Sequence, residues 1–133
     1  MAGLVCPDVG EVLLLKYALN HTEATDVKLH LYKNDYTPVE GSDIEDFTEC
    51  TADGYSAKTL TGSSFTVGNS GGTTTAEYAQ QTFTLTGTST DYGYYITNNA
   101  GTQVLWAERF SDAPHSIPSG GGTEKVTVKI TLE

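Results

Sequence analysis

Apolar and polar residues alternate along most of the chain after residue 26, which is the pattern of half-buried β-strands. In VKLHLYK (27–33) every second residue is aliphatic, and in QTFTLTG (81–87) Phe83 and Leu85 alternate with threonines. The final segment, EKVTVKITLE (124–133), alternates over its whole length. The pattern predicts an all-β protein: a single antiparallel β-sandwich of about seven or eight strands, with a jelly roll as the first topology and an immunoglobulin-like sandwich as the second.

The N-terminal segment has a different pattern and predicts a short helix. Asp8, with Glu11 three residues later, has the spacing of a capping box in which Asp8 is the N-cap. The residues that follow, up to Leu19, are too apolar for a free surface helix, so the helix must lie on the sandwich or on a neighbouring subunit. The polar segment NHTEATD then ends it. We therefore expect an N-terminal arm or helix over residues 1–24 and a β-sandwich domain over residues 25–133.

Aromatic residues are concentrated in DYGYYITNNAGTQVLWAERF (91–110), which reads as two strands joined by an Asn-Asn-Ala-Gly turn. Neither strand has a polar face, and a strand that is apolar on both sides is covered on both sides. One cover is the opposite sheet; the other is a loop, the N-terminal helix or another copy of the chain. Tyrosine and tryptophan contribute most to such contacts. We expect core and subunit interface here, with a carbohydrate groove as the alternative, and the hypothetical interface residues are Tyr94, Tyr95, Trp106, Arg109 and Phe110.

Length and charge narrow the possible functions. A chain of 133 residues is long enough for one domain with its own core. The formal net charge of −10 argues against a nucleic-acid partner, because phosphate contacts need clustered lysine and arginine. The sequence contains no apolar run of the ~20 residues that a membrane helix needs, so we expect no membrane partner. The N-terminus lacks a basic leader, and we expect synthesis without secretion.

The candidate chemistry is sparse. Cys6 and Cys50 are far apart and form no CxxC pair, so reduced thiols are expected and a disulfide stays open. The histidines have no zinc spacing, and no motif activates a serine or cysteine nucleophile. An acidic loop could hold Ca²⁺ but lacks the EF-hand pattern, and its carboxylates are Glu40, Asp43, Glu45, Asp46, Glu49 and Asp53. We predict no catalytic residue, no cofactor and no metal site, and therefore a protein that is not an enzyme.

Seven phrases, in order along almost the whole chain, resemble a family of tailed-bacteriophage virion proteins, particularly those of cyanophages and related freshwater phages. They are LVCPDVGEVLLLKYAL, KLHLYKNDYTP, GYSAKTLTG, YAQQTFTLTG, YGYYITN, LWAERFSDAP and VTVKITL. The resemblance implies a small β-sandwich structural protein of the capsid decoration (cement) type, usually trimeric, on the outer surface of the head. It brings no catalytic residues. The polar segment GNSGGTTTAEYA is longer here than in the family pattern.

From the resemblance we expect a homo-trimer that is made in the host cytoplasm, binds the major capsid protein and stabilises the shell. The apolar N-terminal segment is the hypothetical docking element, and its residues are Leu4, Val5, Val9, Val12, Leu13, Leu15 and Tyr17. One alternative is a tail, baseplate or fibre component that binds host carbohydrate. Another is a free carbohydrate-binding module with Trp106 and Tyr94 or Tyr95 on its platform.

Overall fold

The computed structural model describes residues 3–132, so Met1, Ala2 and Glu133, which the expected arm and domain include, lie outside it. Within these residues the chain forms one α-helix and eleven strands, which confirms the all-β class with a short N-terminal helix. The elements are α1 (Asp8–Ala18), β1 (Val27–Tyr32), β2 (Lys58–Leu60), β3 (Thr66–Ser70), β4 (Thr73–Glu77), β5 (Gln81–Leu85), β6 (Ser89–Asp91), β7 (Gly93–Asn98), β8 (Val104–Arg109), β9 (His115–Ile117), β10 (Gly122–Val126) and β11 (Lys129–Leu132).

The strands form two layers around the main core. One layer is a four-stranded antiparallel sheet in the order β2-β1-β7-β8. The other consists of short antiparallel ladders, β10-β5 and β11-β4-β3, with the pair β6-β9 beside them. The second layer is therefore assembled from separate ladders, unlike the continuous four-stranded sheet of a jelly roll.

The main core lies between these layers. Leu29, Leu31 and Ile96 of the four-stranded sheet have no exposed surface. They belong to one hydrophobic cluster with residues of the second layer, which are Phe83, Leu85, Ile117, Val126, Val128 and Ile130. Burial of apolar surface at roughly 25 cal/mol per Å² is the main force that holds the two layers together.

A second, smaller cluster covers the other face of β1, β7 and β8. The ring of Tyr95 stacks on Phe47 at 4.9 Å between centroids, and Phe47 packs edge-on against Tyr32 at 5.2 Å. Phe47 comes from the acidic loop between β1 and β2, which also places Tyr36 and Ile44 against this cluster. The prediction that the aromatic strands are covered on both sides is confirmed, and on this face the loop provides the cover.

The capping prediction for α1 was wrong. Pro7, in an extended conformation, is the N-cap, and no side chain accepts a hydrogen bond there. Asp8 is the first helical residue, and its N–H donates to Glu40 O at 2.8 Å. The predicted end is confirmed: Asn20 adopts φ 55°, and His21 N donates to Lys16 O at 2.8 Å, which is the bond of a Schellman motif.

The C-terminal segment differs from the single strand that its alternation predicts. Strand β10 pairs with β5, whereas β11 pairs with β4, and Val128 lies between the two ladders. Val128 has no exposed surface, and its carbonyl accepts a hydrogen bond from Tyr78 N at 3.0 Å. The chain passes from one ladder to the next with the same side facing the core. Val126, Val128 and Ile130 are therefore buried in alternation with exposed residues across the break. Leu132, at the end, is exposed.

The polar segment around Gly71 and Gly72 forms the hairpin β3–β4. Both glycines have positive φ, 59° and 89°, as a type I′ turn requires.

Helix α1 packs against the backbone of β8, and Gly10 makes this possible. A Cβ atom at Gly10 would lie 2.5 Å from Leu105 O, so only glycine allows this approach. We expect Gly10→Ala to lower the free energy of unfolding by about 1–3 kcal/mol through overpacking. The gain in helix propensity, about 1 kcal/mol, offsets part of this loss. Urea unfolding measures the change.

The control is Gly41→Ala, because a Cβ atom at Gly41 meets nothing within 4 Å. A stabilised Gly10→Ala protein would contradict the close seating of α1 on β8.

Candidate functional site

Helix α1 exposes a row of aliphatic side chains on the side away from β8. The exposed fraction is 38% for Val9, 55% for Val12, 64% for Leu15 and 77% for Leu19, the residue that follows the helix. These four residues are three or four positions apart and therefore lie along one face of the helix. We call this row the α1 stripe. Neighbouring exposed apolar side chains on one face form a candidate contact surface.

The opposite side of α1 is fixed to the body of the protein. Leu13 is buried, with 4% of its surface exposed, and Gly10 contacts the β8 backbone. Just before the helix, Val5 N donates to Ala107 O at 2.8 Å, and Ala107 N donates to Val5 O at 2.9 Å. These two bonds attach the N-terminal segment to the outer edge of β8. The α1 stripe is therefore presented on a rigidly held element, which suits a recognition surface.

The predicted docking residues divide into an exposed set and an anchoring set. Val9, Val12 and Leu15 are exposed, as docking requires. Leu13 is a buried anchor, so the docking hypothesis is wrong for it. Leu4, Val5 and Tyr17 are partly buried, and Leu4 packs against the main core. Leu19, the most exposed member of the α1 stripe, ends the predicted docking segment but is not among its named residues, although its spacing of four from Leu15 indicates the same face.

The surface beside the α1 stripe is a shallow open depression of about 260 Å³ with an almost wholly apolar lining. It is lined by Val12, Leu15, Lys16, Leu19 and His21. Asp8 and Glu11 lie in the first turn of the helix, and Lys16 lies in the last turn. The apolar surface thus has acidic groups at one end and a basic group at the other.

Two of the predicted interface residues are core residues of the chain. Tyr94 and Tyr95 expose 3% and 4% of their surface. Tyr94 OH donates to Glu108 Oε1 at 2.7 Å, and the Tyr95 ring stacks on His30 at 4.6 Å. The interface hypothesis is wrong for these two tyrosines, because the acidic loop and the main core already cover them. For the same reason neither forms a sugar-binding platform with Trp106.

The other three predicted interface residues are partly exposed. Trp106 packs against the main core. The Arg109 guanidinium is 2.6 Å from Asp35 Oδ1 and lies over the Tyr92 ring at 5.2 Å. The Phe110 ring stacks on His115, with 4.3 Å between centroids. Each of these side chains makes contacts within the chain and keeps some surface accessible to a partner.

The structure also brings together a hydroxyl, an imidazole and a carboxylate that the sequence did not reveal. His30 Nε2 is 2.8 Å from Thr97 Oγ1, and His30 Nδ1 is 2.6 Å from Glu49 Oε2. Tyr55 OH donates to the same Glu49 oxygen at 2.7 Å, and burial together with this bond raises the pKa of Tyr55. The order of groups is that of a nucleophile triad.

Thr97 cannot serve as a nucleophile in this conformation. It has no exposed surface, and its hydroxyl donates to Asn98 O at 2.9 Å. The arrangement instead links β1, β7 and the end of the acidic loop through buried hydrogen bonds. Thr97 and Glu49 lie 67 and 19 positions from His30 along the chain, so no local spacing could have indicated the network.

The acidic loop uses two of its carboxylates to bind its own backbone. Asp43 Oδ1 accepts from Glu45 N at 2.9 Å, and Asp46 Oδ2 accepts from Asp43 N at 2.9 Å. These bonds cap a one-turn 3₁₀ helix, Ile44–Asp46. Among residues 3–132 no group of three or more His, Cys, Asp or Glu side chains is arranged to hold a metal ion. Cys6 and Cys50 are both free thiols.

No helix in the described part of the chain has the length and apolar content needed to span a membrane. No protein-family model matches the sequence, and comparisons with curated proteins and with solved structures likewise give no match.

The buried network yields a test of its structural role. Thr97→Val keeps the shape of the side chain but leaves His30 Nε2 without a partner in the interior. We expect the free energy of unfolding to fall by about 1–3 kcal/mol, the cost of an unsatisfied buried polar group. The measurement is urea unfolding at constant pH.

Thr84→Val, at an exposed position of β5, is the matched control and should change stability by less than about 0.5 kcal/mol. Equal effects of the two substitutions would show that the bond from His30 to Thr97 does not contribute to stability.

Proposed function

We propose that this protein is a non-enzymatic structural protein of a phage virion, a capsid decoration (cement) protein that binds the outer surface of the head through the α1 stripe. The observation that carries the proposal is the exposed aliphatic row on a helix whose other side is fixed to β8. The phage assignment rests on the resemblance of the ordered sequence phrases. The proposed docking residues are those of the α1 stripe: Val9, Val12, Leu15 and Leu19.

The small free energy available from burying one α1 stripe favours an oligomer. Complete burial of four aliphatic side chains, at about 1.5–3 kcal/mol each, is worth at most roughly 6–12 kcal/mol. Association costs about 4–15 kcal/mol in lost translational and rotational freedom, so one copy of the stripe binds weakly. A trimer brings three stripes to a capsid surface at once, and its avidity exceeds the affinity of any one of them. Trp106, Arg109 and Phe110 are the partly exposed candidates for the trimer contact.

Charge indicates what the partner surface looks like. The chain carries a formal net charge of −10, and Asp8 and Glu11 lie at the start of the helix that bears the stripe. A complementary surface on the major capsid protein would have an apolar groove with basic residues at the rim, since complementary charges direct the encounter and fix the register. Occupied sites would then stabilise the assembled shell by mass action.

The α1 stripe can be tested with a matched pair of double variants. We expect Leu15→Ser with Leu19→Ser to lower the affinity for phage heads that lack the protein by at least about tenfold, because less apolar area is buried. Val67→Ser with Leu132→Ser is the control, since Val67 and Leu132 are 67% and 65% exposed outside the helix. Binding is measured by co-sedimentation with purified heads. Equal binding of both double variants would overturn the docking proposal.

A further inference from the structure

Four ionisable side chains converge where the ribbon β6–β9 meets strand β10. Asp91 has no exposed surface and Glu124 exposes only 5%. Asp91 is the cross-strand neighbour of His115, and Asp112 lies in the loop just before β9. We call these four residues the His115 cluster. The same region is closely packed, because a Cβ atom at Gly122 of β10 would lie 3.4 Å from Ile117 Cγ2 of β9.

Both nitrogens of the His115 ring face carboxylates. Nδ1 is 2.7 Å from Glu124 Oε1, and Nε2 is 2.5 Å from Asp112 Oδ1. A neutral imidazole donates from one nitrogen only, so hydrogen bonds to two ionised carboxylates require the protonated ring. The Phe110 ring lies parallel to the imidazole at 4.3 Å and covers one of its faces. The geometry is that of an imidazolium held between two carboxylates.

Asp91 adds a fully buried carboxyl group to the cluster. Its Oδ1 accepts from Ser89 Oγ at 2.7 Å, and Cys50 Sγ lies 3.5 Å from the same serine oxygen. Its Oδ2 is buried and has no hydrogen-bond partner among the described residues. A buried carboxylate with an unpaired oxygen is costly in its charged form, which makes the nearby positive charge of His115 more important.

The charges that face His115 come from three elements: Asp112 from the preceding loop, Glu124 from β10 and Asp91 from β6. None of these carboxyl groups forms an ion pair with lysine or arginine within residues 3–132. The imidazolium is thus the cation that balances them. When it loses its proton, up to three acidic groups remain close together without compensation.

We propose that the His115 cluster is a pH-sensitive clamp, which holds the ribbon β6–β9 against β10 while His115 is protonated and releases it when His115 loses its proton.

The pKa shifts agree in direction with this geometry. Burial lowers the pKa of His115, but the bonds to Asp112 and Glu124 outweigh it, so the pKa is raised above the ordinary 6.5. Burial raises the pKa of Asp91 and of Glu124. For all three groups the folded chain holds protons more tightly than the unfolded chain, so stability falls as pH rises through each folded pKa. The His115 contribution is lost above pH 6.5.

Asp112 acts in the opposite direction. The hydrogen bond from His115 lowers the pKa of this fully exposed carboxyl. Its contribution is present above the pKa of the unfolded chain and is lost only in acid, as pH falls through the lowered value. The clamp is therefore closed in mildly acidic solution and opens on the alkaline side.

The test measures the free energy of unfolding by urea between pH 5.5 and 8.5. We expect the free energy of unfolding of the wild type to fall as pH rises, with a slope that corresponds to about one proton per molecule. The His115→Gln variant should lose most of this slope. Asp112→Asn, at an exposed position, removes one carboxylate from the imidazolium and should shift the fall to lower pH without preventing folding. His21→Gln, at an exposed histidine of the helix C-terminus, should keep the wild-type profile.

Amide exchange shows where the chain opens. Protection factors at residues 89–91 and 115–117 should fall at pH 8.5 while those at 29–31, in the main core, persist. The clamp is disproved if His115→Gln retains the wild-type slope, or if Asp112→Asn leaves the profile unshifted. Uniform loss of protection across both regions would show global unfolding without local release, and would equally overturn the proposal.

Discussion

The burial of strand β7 on both faces is the constraint on which the rest of the structure depends. Ile96 faces the main core and Tyr95 faces the second cluster, and both are almost completely excluded from solvent. A strand in this position needs a cover on each side. The ladders of the second layer cover one face, and the acidic loop covers the other with Phe47. The acidic loop, although its sequence is largely polar, is therefore part of what keeps β7 buried.

This arrangement determines which side of the helix meets solvent. Because β8 lies beside β7 at the edge of the four-stranded sheet, its outer edge is available for Val5 and its backbone is available for Gly10. Leu13 is then buried, and Leu15 and Leu19 point away from the body. The exposed apolar row is a consequence of how the helix is seated on β8.

The sequence predicted the parts of the fold that depend on period alone. The alternation in VKLHLYK and QTFTLTG located β1 and β5, and the doubly apolar β7 and β8 predicted cover on both faces. The pattern does not show what the cover is. Within the chain the main core covers Tyr94 and the acidic loop covers Tyr95, so neither tyrosine needs the predicted subunit contact. The break at Val128 was invisible because both ladders keep a period of two. The partners of His30 come from different elements, as do Glu124 and Asp91 beside His115, so these groups converge through the topology. Asp112, three residues before His115, is a local neighbour.

The central claim is that the protein is a capsid decoration protein that docks through the α1 stripe. Cryo-electron microscopy of intact virions tests it most directly, because the fold is compact enough to be placed in the density. We expect the protein in groups of three on the outer surface of the head, with α1 against the major capsid protein. Density for this fold only at the tail or baseplate, or on the head with α1 facing solvent, would contradict it.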